Sequence, residues 1–173
     1  MARFSADNRD ITVIAVYIPH QGRKVEPFQA STYAELEKVI AMVPKSDCLV
    51  VAGDFNSRLE RSWIGNDFKD ARFVGRWSIH SRDCPGGVIL RDLLHKHDLC
   101  AISTRFEPYR LNHRRRRNNS TWINPTTGTK PSQIDHILVS NRWKSSFTNS
   151  QIKWGPSINR WGEKRDHGVV VVR

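Results

Sequence analysis

Apolar positions fall along the chain in two periods. In "ITVIAVYIPH" (11–20) apolar and β-branched residues run almost unbroken to Pro19, which predicts a buried strand. "TYAELEKVIAMVP" (32–44) changes period: Tyr33, Leu36, Val39, Ile40 and Val43 share one helical face, Thr32 and Glu35 are spaced as a capping box, and Pro44 supplies a stop. "CLVVAG" (48–53) returns to strand, and "GVILRDLLHKHDL" (87–99) repeats the helical period through Leu90, Leu93, Leu94 and His97. After that the elements shorten. "STWIN" (120–124), "QIDHILVS" (133–140), "SQIKW" (150–154) and "GVVVV" (168–172) predict short strands between turn-rich loops. Mixed strands with two amphipathic helices predict an α/β sandwich, sheets packed face to face with helices outside.

Polar residues interrupt this pattern at three places. "VAGDFNSRL" (51–59) sets Asp54 and Asn56 just past a hydrophobic run. In "QIDHILVS" alternation puts Ile134, His136 and Leu138 on one face and Asp135, Ile137 and Val139 on the other. A carboxylate on an apolar face is costly without a partner. "KRDHGVVVV" places Asp166 and His167 just before the last strand. Singly, each has an ordinary account: Gly-Asp and Asn are turn residues, Asp135 pairs with an arginine, and Asp166 and His167 close a loop. Together, carried by a sheet toward one edge, they form another set. A histidine oriented by a carboxylate, beside hard oxygen ligands, is equipment for phosphodiester hydrolysis.

Composition narrows the choice. With 173 residues, 38% hydrophobic content and six tryptophans, the chain is long and apolar enough for one folded domain, spanning 1–173. Its longest apolar runs, at 49–52 and 169–172, are too short to cross a bilayer, and "MARFSADNRD" has no apolar signal region. Cys48, Cys84 and Cys100 form neither a C-x-x-C pair nor an even framework, so reduced thiols in an intracellular protein are expected, without a zinc site. Lys+Arg 28 against Asp+Glu 17 gives a net charge of +11, which favours a polyanionic partner, nucleic acid before a membrane surface. The densest cluster, "HRRRRNN", lacks the apolar period of a membrane-binding helix. It reads as an exposed loop in which Arg114, Arg115, Arg116 and Arg117 are available to phosphates.

The ordered set "VYIP … VAGDFNS … STW … QIDHILVS … RDHGVVVV" resembles the endonuclease/exonuclease/phosphatase superfamily. The connecting text, "LLHKHDLCAISTRF", "STWINPTTG" and "QIDHILVSNRW", is similar to endonuclease domains of non-LTR retrotransposons. The resemblance implies the C-terminal part of a four-layered α/β sandwich and Mg²⁺- or Mn²⁺-dependent nicking of DNA. It further implies a monomer linked in the full element to a reverse transcriptase, with a nuclear location. It also implies roles. Tyr17 would contact the scissile phosphate, Asp54 would position or deprotonate water, and Asn56 would orient water and metal-bound phosphate. Asp135 would pair with His167, the phosphate-binding histidine. Asp166 would be a metal ligand, together with Asp54 and Asn56. Thr121 would contact phosphate while Trp122 packs in the core, and the loop 125–132 falls where relatives carry a hairpin that probes the minor groove.

Two departures accompany the likeness. Arg165 stands where the family commonly has Ser, and is read either as an added phosphate contact or as drift in a degraded copy. The family's early Asn and its metal-ligating Glu lie upstream of the "VYIP" strand, and only ten residues precede Ile11 here. The expectation is therefore an N-terminally truncated domain, impaired as a nuclease. The alternatives are an inactive nucleic-acid-binding fragment, or a phosphatase or phospholipase of the same superfamily.

Overall fold

The computed structural model describes residues 1–5, 9–20, 26–62, 70–108, 110–111, 115–116, 119–154 and 166–173. Five strands make the central sheet: β1 (Ala2–Phe4), β2 (Ile11–Tyr17), β3 (Cys48–Asp54), β4 (Leu99–Ala101) and β7 (Asp135–Ser140), in the order β1-β2-β3-β7-β4. β2 and β3 are parallel and are joined through helix α1 (Glu26–Ala41), and every other pairing in this sheet is antiparallel. A second helix, α2 (Pro85–Lys96), precedes β4. Two small antiparallel pairs complete the set: β5 (Arg110–Leu111) with β6 (Arg115–Arg116), and β8 (Ser150–Lys153) with β9 (Val169–Val172). The result is the α/β layering expected: helices, a mixed sheet, and a smaller second sheet.

Alternation along the strands sorts the core into two layers. Ile14, Val51 and Leu138 join Tyr33, Leu36 and Ile40 of α1 and Leu90, Leu93 and Leu94 of α2 in one cluster. On the other side Cys48, Cys100 and Val139 gather with Ile102, and Ile137, Trp143, Phe147 and Val172 pack against them. All three cysteines are buried and free. Each large aliphatic group removed from water here contributes roughly 1.5–3 kcal/mol.

Both helices depart from their expected bounds. α1 already runs from Glu26, so Thr32 lies inside it and is no cap: its hydroxyl donates back to the Phe28 carbonyl at 2.7 Å. The inward face therefore extends one turn earlier, to the buried Gln29. α2 starts at Pro85, whose missing N–H costs nothing at a helix start, and stops at Lys96. Asp98 takes the left-handed conformation (φ 50°), and its carboxylate is held by Asn141 Nδ2 at 3.0 Å and Arg72 at 2.6 Å. That anchored turn releases Leu99 into a strand and leaves His97 half-buried at the helix end instead of on its inner face. "STWIN" reduces to single bridges at Trp122, because Asn124 folds the chain away by accepting the amides of Thr126 and Thr127. The arginine cluster read as loop contains the β6 half of a short ladder. Arg114, Arg117 and Arg165 lie outside the described residues.

Gly53 is required where it stands. Its φ is +156°, and a Cβ there would lie 1.8 Å from the Val16 carbonyl oxygen of the adjoining strand. Gly87 plays a second part: a Cβ would sit 2.0 Å from the Arg58 carbonyl, so glycine lets α2 close onto the loop that follows β3. At the other end of the sheet Asp47, 2% exposed, accepts Arg3 Nε at 2.8 Å and Thr12 Oγ1 at 2.7 Å, fastening β1 to β2.

Both features can be tested by substitution. Gly53→Ala is expected to destabilise the fold by about 2 kcal/mol or more, measured by urea denaturation, because neither strand can retreat from the added methyl. Hydrogen bonds from Arg3 and then Thr12 lower the Asp47 pKa from 3.8 to about 2. A depressed carboxylate pKa contributes stability that is complete above the unfolded value and is lost as pH falls through the folded one. The stability gap between wild type and Asp47→Asn should thus close as pH falls from about 4 towards 2; a gap independent of pH would exclude this linkage.

Candidate active site

The register of three strands builds one end of the sheet. Tyr17 pairs with Asp54 across the parallel β2–β3 ladder, and Asp54 pairs with Asp135 across the antiparallel β3–β7 ladder. Paired residues share a face, so the phenol and two carboxylates stand in a row across the sheet's edge. Tyr17 is 65% exposed, free to meet a ligand. His167, just before β9, reaches this row from the second sheet: its Nδ1 lies 3.1 Å from Asp135 Oδ2 and 3.2 Å from Oδ1. Asp54, Asp135 and His167 each place one ligand atom within 4.8 Å of the others. Among the described residues no glutamate joins that group, and neither does Asp166.

Asn56 fixes Asp54. Its amide N–H donates to Asp54 Oδ1 at 2.8 Å, and its Nδ2 donates to Oδ2 at 3.2 Å and to the Ile18 carbonyl at 2.9 Å. This closure needs a left-handed backbone at Asn56 (φ 45°), which asparagine adopts more readily than most residues. With Nδ2 committed, Oδ1 remains as the side chain's acceptor. Beneath the loop lies a buried polar layer. Tyr33 Oη and Ser57 Oγ are 2.9 Å apart, and His136 Nε2 donates to the Ser57 carbonyl at 2.9 Å. Burial raises the Tyr33 pKa and lowers that of His136, so both are neutral props. His80 is likewise kept neutral, its pKa lowered to about 4 by burial, while Nε2 accepts the Gln133 amide at 3.0 Å.

Charge in the row is unbalanced. Burial raises the Asp54 pKa, the Asn56 amide offsets part of that, and the charge of Asp135 raises it again, while His167 and His20 lower it without reversing the shift. A cation between the carboxylates would relieve both effects, and their oxygens suit a hard divalent ion. The His167 pKa is raised, first by its hydrogen bond to Asp135, against burial, and further by the charges of Asp135, Asp54 and Asp166. With Nδ1 turned to Asp135, Nε2 is the nitrogen available to a ligand.

The structure thus brings together Tyr17, Asp54, Asn56, Asp135 and His167. Asp166 is half-buried beside them, with its carbonyl accepting the Ile123 amide at 2.9 Å. Thr121 does not fit its expected role. It is fully buried, and its Oγ1 accepts the amides of Ile134 and Asp135 at 3.0 Å each, so it is withdrawn from any bound phosphate. Two contributors were not singled out by the sequence. His20, exposed after Pro19, is close enough to lower the Asp54 pKa, and its only signal was its place beyond "VYIP". His136 supports the site from below, and its signal was the alternation opposite Asp135.

A sequence model described as the Endonuclease/Exonuclease/phosphatase family matches residues 3–162. The chain belongs to this family. Solved members share its fold. A 3'-5' exonuclease from Neisseria meningitidis superposes with a TM-score of 0.64 at 18% identity, covering 99% of this chain and 63% of its own. An AP endonuclease from Archaeoglobus fulgidus gives 0.58 at 15% identity, over 99% and 63%. The endonuclease domain of TRAS1, a telomere-specific non-LTR retrotransposon, gives 0.55 at 16% identity, over 99% and 60%. Craniofacial development protein 2 of Bos taurus is 26% identical over 172 residues, which are 99% of this chain and 26% of that protein. The chain therefore spans about a quarter of this curated relative and under two thirds of these family structures. Family enzymes are nucleases, phosphodiesterases and phosphatases. Among the described residues no helix is long and apolar enough to cross a membrane.

The Asp135–His167 pair gives a direct test. A histidine whose folded pKa is raised contributes stability that is present below its unfolded value, about 6.5, and is lost as pH rises through the folded value. An NMR titration should find His167 protonated to higher pH in wild type than in Asp135→Asn. Equal midpoints would remove the ion pair from the site.

Proposed function

We propose that this domain hydrolyses phosphodiester bonds of DNA with a divalent cation, as the nicking endonuclease of a non-LTR retroelement. The observation that carries the reading is the row Tyr17–Asp54–Asp135 with His167 bonded to Asp135. Asp54, aimed by Asn56, orients the attacking water and accepts its proton. His167, kept protonated by Asp135, donates through Nε2 to a phosphoryl oxygen, and Tyr17 lines the phosphate's approach. Asp54 and Asp135, with the free amide oxygen of Asn56, would hold a divalent cation such as Mg²⁺ or Mn²⁺, which would supply charge neutralisation for the phosphodiester. Asp166 acts through its charge beside His167. The net charge of +11 suits a polyanionic substrate, and the retroelement assignment rests on the connecting sequence around "STWINPTTG".

Supercoiled-plasmid nicking tests this. Activity should need Mg²⁺ or Mn²⁺, cease in EDTA, and fall by about 10²-fold or more in Asp54→Ala and in His167→Ala. Nicking that survives both substitutions would assign the chemistry elsewhere. For binding, Arg114, Arg115, Arg116 and Arg117 are expected to contribute to a salt-sensitive affinity. Replacing all four by Ser should flatten the log–log salt dependence by roughly 0.9 for each phosphate that is no longer neutralised. An unchanged slope would show that the cluster does not touch DNA.

A further inference from the structure

We infer that Thr121 is a positioning residue that holds Asp135 and His167 in register with each other. The two partners belong to different sheets: Asp135 opens β7 of the central sheet, while His167 precedes β9 of the small one. The segment from Thr121 to Ile123 is the seam between them. On one side Thr121 Oγ1 accepts the amides of Ile134 and Asp135, and Thr121 and Trp122 both donate to the Ser132 carbonyl, at 2.8 and 2.9 Å. On the other, the Thr121 carbonyl accepts the Gly168 amide at 2.7 Å, Trp122 bridges to His167, and Ile123 donates to the Asp166 carbonyl. One residue thus touches the backbone at Asp135 and immediately after His167.

The hydroxyl is suited to this. A hydroxyl oxygen carries two acceptor sites, and both adjacent amides use them. At 0% exposure the oxygen itself is closed to solvent, so losing it removes the acceptor of two N–H groups, that of Ile134 buried and that of Asp135 part-buried. The peptide at Asp135 must then rotate or shift to recover partners, and its carboxylate moves with it. A misplacement of about 1 Å in a catalytic constellation costs on the order of 10²-fold in rate. Serine keeps the oxygen, whereas valine keeps the shape and removes it.

The kinetic consequence rests on the proposed chemistry, while the spatial role of Thr121 is read separately. The experiment compares wild type, Thr121→Ser and Thr121→Val in the full chain. Long-range ¹H–¹⁵N imidazole spectra, recorded at a pH where the ring is neutral, report which nitrogen of His167 carries the proton, and Mg²⁺-dependent plasmid nicking gives kcat and KM. Wild type and Thr121→Ser should show the Nδ1-protonated, carboxylate-bonded signature. Thr121→Val, still melting cooperatively, should lose it, with kcat down by about 10²-fold and KM changed little. Where valine does not fold, Thr121→Ala gives the same reading. A folded valine or alanine variant that retains the His167 signature overturns the inference, as does a serine variant that loses it. A wild-type chain that does not nick DNA counts against the proposed function alone, and the imidazole spectra still decide the role of Thr121.

Discussion

Backbone register across β2, β3 and β7 is the constraint on which the site depends. Because side chains alternate, a slip of one residue in either ladder would turn Asp54 or Asp135 to the opposite face. The register is fixed by burial on both sides. Val51 and Leu138 are fully enclosed under the helices, while Cys48 and Val139 are enclosed on the reverse face. Sliding β3 would exchange these layers and strand the polar row inside. Gly53 contributes at the same place, since only a residue without a side chain passes so close to Val16. Packing therefore determines the chemistry: the core chooses which carboxylates meet.

Around that row, charge and hydrogen bonding are divided unevenly. Asp54 is half-buried, near a second carboxylate, and among the described residues the hydrogen bonds to its carboxylate come from a single neighbour, Asn56. Asp47, at the opposite end of the sheet, is balanced by a guanidinium and a hydroxyl and lies well below the ordinary carboxylate range. The two aspartates show the difference between a group that fastens a fold and one held ready for a ligand. Partial burial beside a second carboxylate, which the charges of His167 and His20 offset only in part, is a cost that a structural site would avoid. At Asp54 the fold tolerates it, which supports the cation- and phosphate-facing role proposed for this row.

The second sheet delivers the histidine. β9 follows just after His167, and the seam through Thr121 and Trp122 ties the histidine's backbone to the segment that holds Asp135. The same logic explains why "STWIN" is not an extended strand. Single bridges to Ser132 and His167, one on each side, serve two elements where a long ladder would serve one.

Much of this was legible in the chain itself. The apolar runs of β2 and β3, the leucine faces of the helices and the alternation in "QIDHILVS" reflect burial, which depends on local pattern. The polar interruptions at Asp54, Asn56, Asp135 and His167 stood out because carboxylates and imidazoles are costly beside apolar strands. Other features were not legible. The left-handed turn at Asp98 ends α2 through Arg72 and Asn141, residues 26 and 43 positions away. The start of α1 carried no capping pattern in the sequence. Thr121 reads as a surface-competent hydroxyl in any local window, and only the arrival of Ile134 and Asp135 makes it a buried acceptor. Sequence alone determined the elements and the chemical types at the site, because periodicity and polarity are properties of neighbours along the chain. Tertiary structure decided which of those groups support and which face a ligand, because hydrogen-bond partners and solvent access are set by residues far apart in sequence.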